Sequence, residues 1–308
     1  MCERVTPAFA KPLEWFHLRQ ILESSFRFWD KQKTCTVFGA SLSAQLIMRS
    51  WYIFFAITLT VIVLVGTLKF YLDPLPKACV HYVSNQYEKA LDEANQAVNQ
   101  DPTGQLALHL RALVLVKLGQ NQSALTDYCK LIELAPTYSN FNDRGDLYQQ
   151  LGRHREAIAD YNHTIDLEPG YDQPYIGRAR ALNASGLYKR AIDDYGKAME
   201  LERPNVYTDL YLERGQVFLN AKQWGNALAD YTHELESGNG NDSPYPYEGL
   251  GIAYLHLGQP ELAKDNLKEA IRLRIRNKDI YSKTSRQDLA GEENKHIEQL
   301  KGLLEPKS

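Results

Sequence analysis

DRGDLYQQLGRHREAIADY, residues 143–161, contains two helical halves around a turn. Leu151-Gly152-Arg153 marks the turn, because glycine readily enters the left-handed backbone that ends a helix. Gly145 in the first half and Ala157 in the second are small residues twelve apart, and Tyr161 follows four later. Two helices approach closely only where both carry small side chains. The stretch therefore reads as a helical hairpin zipped at Gly145 and Ala157, with Tyr161 filling the adjoining groove. Arg144 occupies a position where an amphipathic helix would present an apolar side chain, and Asp160 follows 16 residues later.

Working outward, the spacing recurs. Ala90, Ala124, Ala157, Ala191, Ala227 and Ala263 are 34, 33, 34, 36 and 36 residues apart. Twelve residues before each stand Ala78, Ala112, Gly145, Ala179, Gly215 and Gly251; four after come Ala94, Tyr128, Tyr161, Tyr195, Tyr231 and Leu267. Pro102, Pro136 and Pro169 close three units, with Pro204 one residue late in the fourth. Such self-similarity marks a helical repeat array. The charge pair recurs too, as Arg111 with Asp127, Arg178 with Asp194, and Arg214 with Asp230. Lys77 and Glu93 keep the signs in the first unit, and in the sixth both charges vanish together into Leu250 and Asn266. Charges that come and go as a pair imply a contact between the two helices of a hairpin. We read it as scaffolding and not a site.

Six units in register over residues 71–276 resemble the tetratricopeptide repeat family. The resemblance implies an all-α fold, a right-handed α-solenoid of helical hairpins. It also implies that first helices line a concave groove for an extended peptide or a partner helix. Matching faces carry Leu106, His109 and Leu113, then Asn142, Asp146 and Gln149, Arg180 and Asn183, Gln216 and Asn220, and Glu248 and Ile252. Of these, His109, Asn142, Asp146, Arg180, Asn183, Gln216 and Asn220 form the candidate groove; the plainer alternative is that polar residues merely keep a wide trough wet. The carboxylate grip of chaperone-binding members is not matched, since His109, Asn142, Ile176 and Leu212 stand where its lysine would begin. Pro74 and Pro76 depart from the pattern in the first unit, and the last two units are longer and lack the usual closing proline. Residues 277–308 contain TSRQDLAGEENKHIEQLKGLL (284–304), whose Leu289, Ile297, Leu300 and Leu304 share one helical face, as an end cap requires.

Upstream the composition changes. WYIFFAITLTVIVLVGTL, residues 51–68, has no charge over 18 residues. As a helix it would be about 27 Å long, against roughly 30 Å for the hydrocarbon core of a bilayer. Residues 48–72 are thus expected to be a single transmembrane helix, with Arg49, Trp51, Lys69 and Tyr71 at its interfaces. The 1–47 tail includes EWFHLRQILESSFRFW (14–29), which aligns Trp15, Leu18, Leu22, Phe26 and Trp29 for a membrane-surface helix or for packing elsewhere. Met48 is a second candidate start, and a cleaved or lipidated exported form is the rival to an uncleaved anchor. The first 50 residues carry seven Lys and Arg against four acidic residues, which favours an extracytoplasmic repeat region.

The net charge of -3 gives no reason to expect nucleic acid as a partner. Four scattered cysteines contain no C-x-x-C, and the eight histidines show no metal-ligand spacing. Phosphate-loop, H-E-x-x-H and G-x-S-x-G motifs are missing, so no cofactor, metal, small-molecule substrate or catalysis is expected. Sequons at Asn121, Asn162, Asn183 and Asn241 fall within or beside helices and read as chance. A cation-rich run, 264–286, reads as a solvated helix face, with a lipid-headgroup or acidic-partner patch as the alternative. The expected function is a membrane-anchored scaffold or adaptor for a protein or peptide; the alternative is a regulatory subunit of an envelope enzyme or of a secretion or assembly machine.

Overall fold

The structure, a computed structural model, describes residues 73–201, 210–238, 242–284 and 286–304. The expected transmembrane helix, the amphipathic helix at 14–29, Pro204 and the sequon at Asn241 lie outside the described residues. Among the described residues no helix is long and apolar enough to cross a membrane.

Every described element is a helix. The first unit, ending at Ala135, contains α1 (Pro74–Val83), α2 (Tyr87–Gln100), α3 (Gln105–Lys117) and α4 (Asn121–Leu134). The second, from Pro136, begins with α5 (Tyr138–Gln150), α6 (His154–Leu167), α7 (Gln173–Ala184) and α8 (Tyr188–Leu201). It continues with α9 (Leu210–Asn220), α10 (Trp224–Glu236), α11 (Pro244–His256), α12 (Pro260–Ser282) and α13 (Gln287–Leu304).

The turns explain the hairpins. Each three-residue link from first to second helix has one left-handed residue at its centre: Asn85, Gly119, Gly152, Gly186, Lys222 or Gly258. After α3, Gly119 N–H donates to the Val116 carbonyl (3.1 Å) and Gln120 N–H to Leu115 (2.8 Å). That pair of bonds satisfies carbonyls a helix end leaves open and turns the chain back on itself. Glycine takes this backbone freely and Asn tolerates it, whereas Lys222 adopts it at a cost.

The small residues do the zipping. All six seam alanines are fully buried, as are Ala78, Ala112 and Ala179 opposite three of them. Where glycine replaces alanine on the first helix, the neighbouring side chain closes over the space. A Cβ on Gly145 would lie 3.0 Å from the Tyr161 ring, and one on Gly251 would lie 2.6 Å from Leu267. Tyr128, Tyr161, Tyr195 and Tyr231 are all buried beside these crossings.

The charge pairs lie between the helices of each hairpin. Arg144 donates through Nε (2.8 Å) and Nη2 (2.7 Å) to the two oxygens of Asp160, and Arg178 does the same to Asp194 at 2.7 Å each. Arg111–Asp127 and Arg214–Asp230 repeat this two-pronged geometry. An aromatic ring lies under most of the guanidiniums: Phe141 under Arg144, Tyr175 under Arg178 and Tyr211 under Arg214. Lys77 with Glu93 departs from the series: one oxygen of Glu93 is buried without a hydrogen-bond partner. An ammonium is a single point of charge and does not reproduce the fork of a guanidinium.

In the last hairpin α12 has 23 residues and runs through position 277 to Ser282. Against it lies α13, with Ile297 buried, Leu300 packed on Leu267 and Ala270, and Glu292, Lys295, Glu298 and Lys301 facing water. The cation-rich run is not a uniformly solvated face. Arg274 is 2% exposed, the largest fully buried side chain described. It donates to Glu248 (2.6 Å) and Glu293 (2.8 Å) and sits 5.1 Å from the Tyr245 ring centre. Arg272 pairs with Glu269, and Arg276 with Asp242.

Candidate protein-binding strip

In the second unit, successive first helices share a polar strip. Asn220 on α9 donates to Asn183 on α7 (3.0 Å), and Gln216 donates to Asn220 one turn along (3.2 Å). Beside this amide chain, the exposed Arg180 on α7 donates to Glu213 on α9 through Nε (2.7 Å) and Nη2. Four of the seven candidate residues, Arg180, Asn183, Gln216 and Asn220, therefore belong to one connected surface.

The groove-filling tyrosines reach this strip from below. Tyr195 donates its hydroxyl to Glu213 (2.7 Å) and Tyr161 donates to Asp146 (2.7 Å). Burial, then the adjacent carboxylates, hold both phenols above their ordinary range, so they remain donors. In each case a buried ring thereby fixes a first-helix carboxylate from beneath. Asp146 is itself pushed above the usual carboxylate range, chiefly by desolvation of its carboxyl and against the bond from Tyr161. Asn142 donates to Asp146 (3.1 Å), while its own side-chain oxygen is buried without a partner.

Two candidates are corrected. Asn142, on α5, is buried and donates to Asp146, leaving little of itself to a ligand. His109, in the first unit, is buried edge-on to Tyr128, with ring centres 6.1 Å apart, so it packs against the tyrosine instead of lining an open face. The helical period placed both on a first-helix face, but the bulk of the neighbouring second helix decides how far each is covered. Glu213 and the tyrosine hydroxyls were missed. The available signal was the tyrosine recurring four residues after the seam alanine, together with an acid two residues before Gly215. Asn162, one of the sequons, accepts a hydrogen bond from Arg178 (2.6 Å).

An opening of about 340 Å³ lies in the first unit beside Leu91, Asn95, Arg111, Leu115 and Asp127. Its charged groups already satisfy each other, so it offers no free charge to a ligand.

Models of the tetratricopeptide repeat match residues 142–207, and also 106–138 and 246–274. No curated protein matches the sequence at significance. Among solved structures, the chain is similar to a tetratricopeptide repeat protein from Parabacteroides merdae, 17% identical, covering 77% of this chain and 98% of that one with a TM-score of 0.58. It is also similar to the C-terminal part of a repeat-containing protein from Cytophaga hutchinsonii, at 18% identity, 74% and 88% coverage, and TM-score 0.57. A third, YrrB, described as having an unusual peptide-binding site, is 18% identical over 58% of this chain and 91% of its own, with a TM-score of 0.51. At these identities the likeness is one of fold.

Proposed function

We propose that this chain, whose residues 106–138, 142–207 and 246–274 match tetratricopeptide repeat models, is a membrane-anchored scaffold that holds an extended segment of a partner protein along its first helices, without catalysis of its own. One observation carries the reading: the linked strip of Arg180, Asn183, Gln216 and Asn220 lies on neighbouring first helices, with its side chains already oriented. Amide side chains donate and accept, so they pair with a partner's backbone without dictating its side chains. Ordering them beforehand lowers the entropic cost of binding. A peptide-binding relative such as YrrB is consistent with this use of the fold. Residues 51–68 serve as the anchor, and the cation excess before them favours an extracytoplasmic repeat region.

The test uses the full chain in membranes, cross-linked in intact cells and then extracted in detergent. Arg180→Gln with Asn220→Ala should lose most of the recovered partner while the melting temperature stays within a few degrees of the parent. Recovery unchanged by both substitutions would remove the strip from the interface. Alkaline extraction that released the chain from membranes would remove the anchor.

A further inference from the structure

In the repeated hairpins, one position of the first helix packs against the preceding hairpin. It lies two residues after the small seam residue. Val114, Ala181, Val217 and Ala253 occupy it, and each is 0% exposed. Their neighbours identify the cover. Val114 packs with Ala90 and Ala94, Ala181 with Ala157 and Tyr161, Val217 with Ala191 and Tyr195, and Ala253 with Ala227 and Tyr231.

The matching residue of α1 is Val80, and it is 57% exposed, with Val83 one turn on at 68%. Among the described residues nothing covers this receiving face. The other end of the array is handled differently, since α13 closes the last hairpin and shows Glu292, Lys295, Glu298 and Lys301 to water. An array end that meets water needs such a polar side. The α1 face is valine instead, with half-buried Lys77 and His81 along one side of it, the His81 ring bonded to Gln86 (3.2 Å).

What covers it follows from the chain upstream, and here the inference rests on the anchor reading above. Residues 51–68 have no polar face, so packed on α1 in water they would only move the exposed apolar surface outward. The 14–29 segment precedes the span and so would lie across the bilayer. Five residues, 69–73, separate the end of the uncharged stretch from α1 and reach at most about 17 Å even if fully extended. We propose that the Val80–Val83 face of α1 rests on the bilayer surface, with the valines at the acyl boundary and Lys77 and His81 among the headgroups. Short apolar side chains beside basic ones suit that depth.

The full chain tests this, with Cys2, Cys35, Cys79 and Cys129 replaced and a single Val80→Cys carrying an environment-sensitive NBD dye. The chain is reconstituted in phosphatidylcholine–phosphatidylglycerol vesicles, with and without doxyl-labelled lipid. Quenching by the doxyl lipid is expected to be several-fold stronger at position 80 than at a Glu292→Cys control. A dye at 80 that is blue-shifted yet untouched by doxyl lipid would overturn the proposal, because protein then covers the face. Ready quenching by aqueous iodide would overturn it as well. Alkaline extraction of the same vesicles keeps the two readings apart. Release of the chain defeats the anchor and this inference together, while retention without doxyl quenching defeats this inference alone.

Discussion

The hairpins α7–α8 and α11–α12 share one backbone plan and use arginine in opposite ways. In the first, Arg178 clasps Asp194 across its own hairpin. In the second, the equivalent positions hold Leu250 and Asn266, and charge reappears elsewhere as Arg274 between Glu248 and Glu293. The clasp ties two helices that a short turn already joins. The triad ties α12 to α11 and to the terminal helix α13. Buried ion pairs add little net stability over apolar replacements, but losing one partner is costly. Each therefore specifies which surfaces meet more than how tightly.

The largest effect is expected at the triad. Arg274→Ala strands Glu293, itself 8% exposed, and should cost about 3–5 kcal/mol, read as a fall in midpoint by denaturant titration. Adding Glu248→Gln and Glu293→Gln should recover much of that loss; no recovery would mean that packing, and not charge, holds α13. Next comes Arg178→Ala, at about 2 kcal/mol. Adding Asp194→Ala should cost little more, and additive losses would show that the pair is energetically independent. Gly177→Ala and Gly249→Ala follow, because their new methyl groups would lie 2.5 Å from Tyr161 and 2.2 Å from Tyr231. Both should destabilise by about 1–3 kcal/mol, with the larger loss at Gly249. The smallest change is expected from grafting the clasp, Leu250→Arg with Asn266→Asp, at under about 1 kcal/mol, since a paired charge there only replaces a packed leucine. Leu250→Arg alone should be much worse in the same thermal melt.

The hairpin register was legible because sterics write it directly. Where two helices nearly touch, only glycine or alanine fits, and the period of those residues survives in the string. The Arg–Asp clasp was legible for the same reason, as a fixed offset of 16 inside a repeated unit. Arg274 was harder to find. Its partners stand 26 residues before and 19 after, with no repetition to reveal them, and its charge disguised a core position in line with Ala263, Leu267 and Ala270. The candidate strip was half legible. Helical spacing put Arg180, Asn183, Gln216 and Asn220 on one face, as the structure has them, but depth of burial depends on the neighbouring helix, so the cover over His109 and Asn142 was not legible. Glu213 escaped because its contacts, with Arg180 and Tyr195, exist only between neighbouring hairpins.

The guanidinium of Arg178 also has a third bond, to Asn162 in the hairpin before it, and Arg111 has a weaker one to Asn95 at 3.4 Å. Gly196 occupies the corresponding place ahead of Arg214 and has no side chain to offer. Neighbour-to-neighbour coupling sets how far an opening spreads along a linear protein. At the junction between α8 and α9 that bond is missing, and coupling passes instead from Arg180 and Tyr195 to Glu213 and from Asn220 to Asn183. Glu213→Ala, which removes two of those links, should let amide protons on the two sides exchange with separate free energies, while in the parent chain a segment laid along both helices would hold them together.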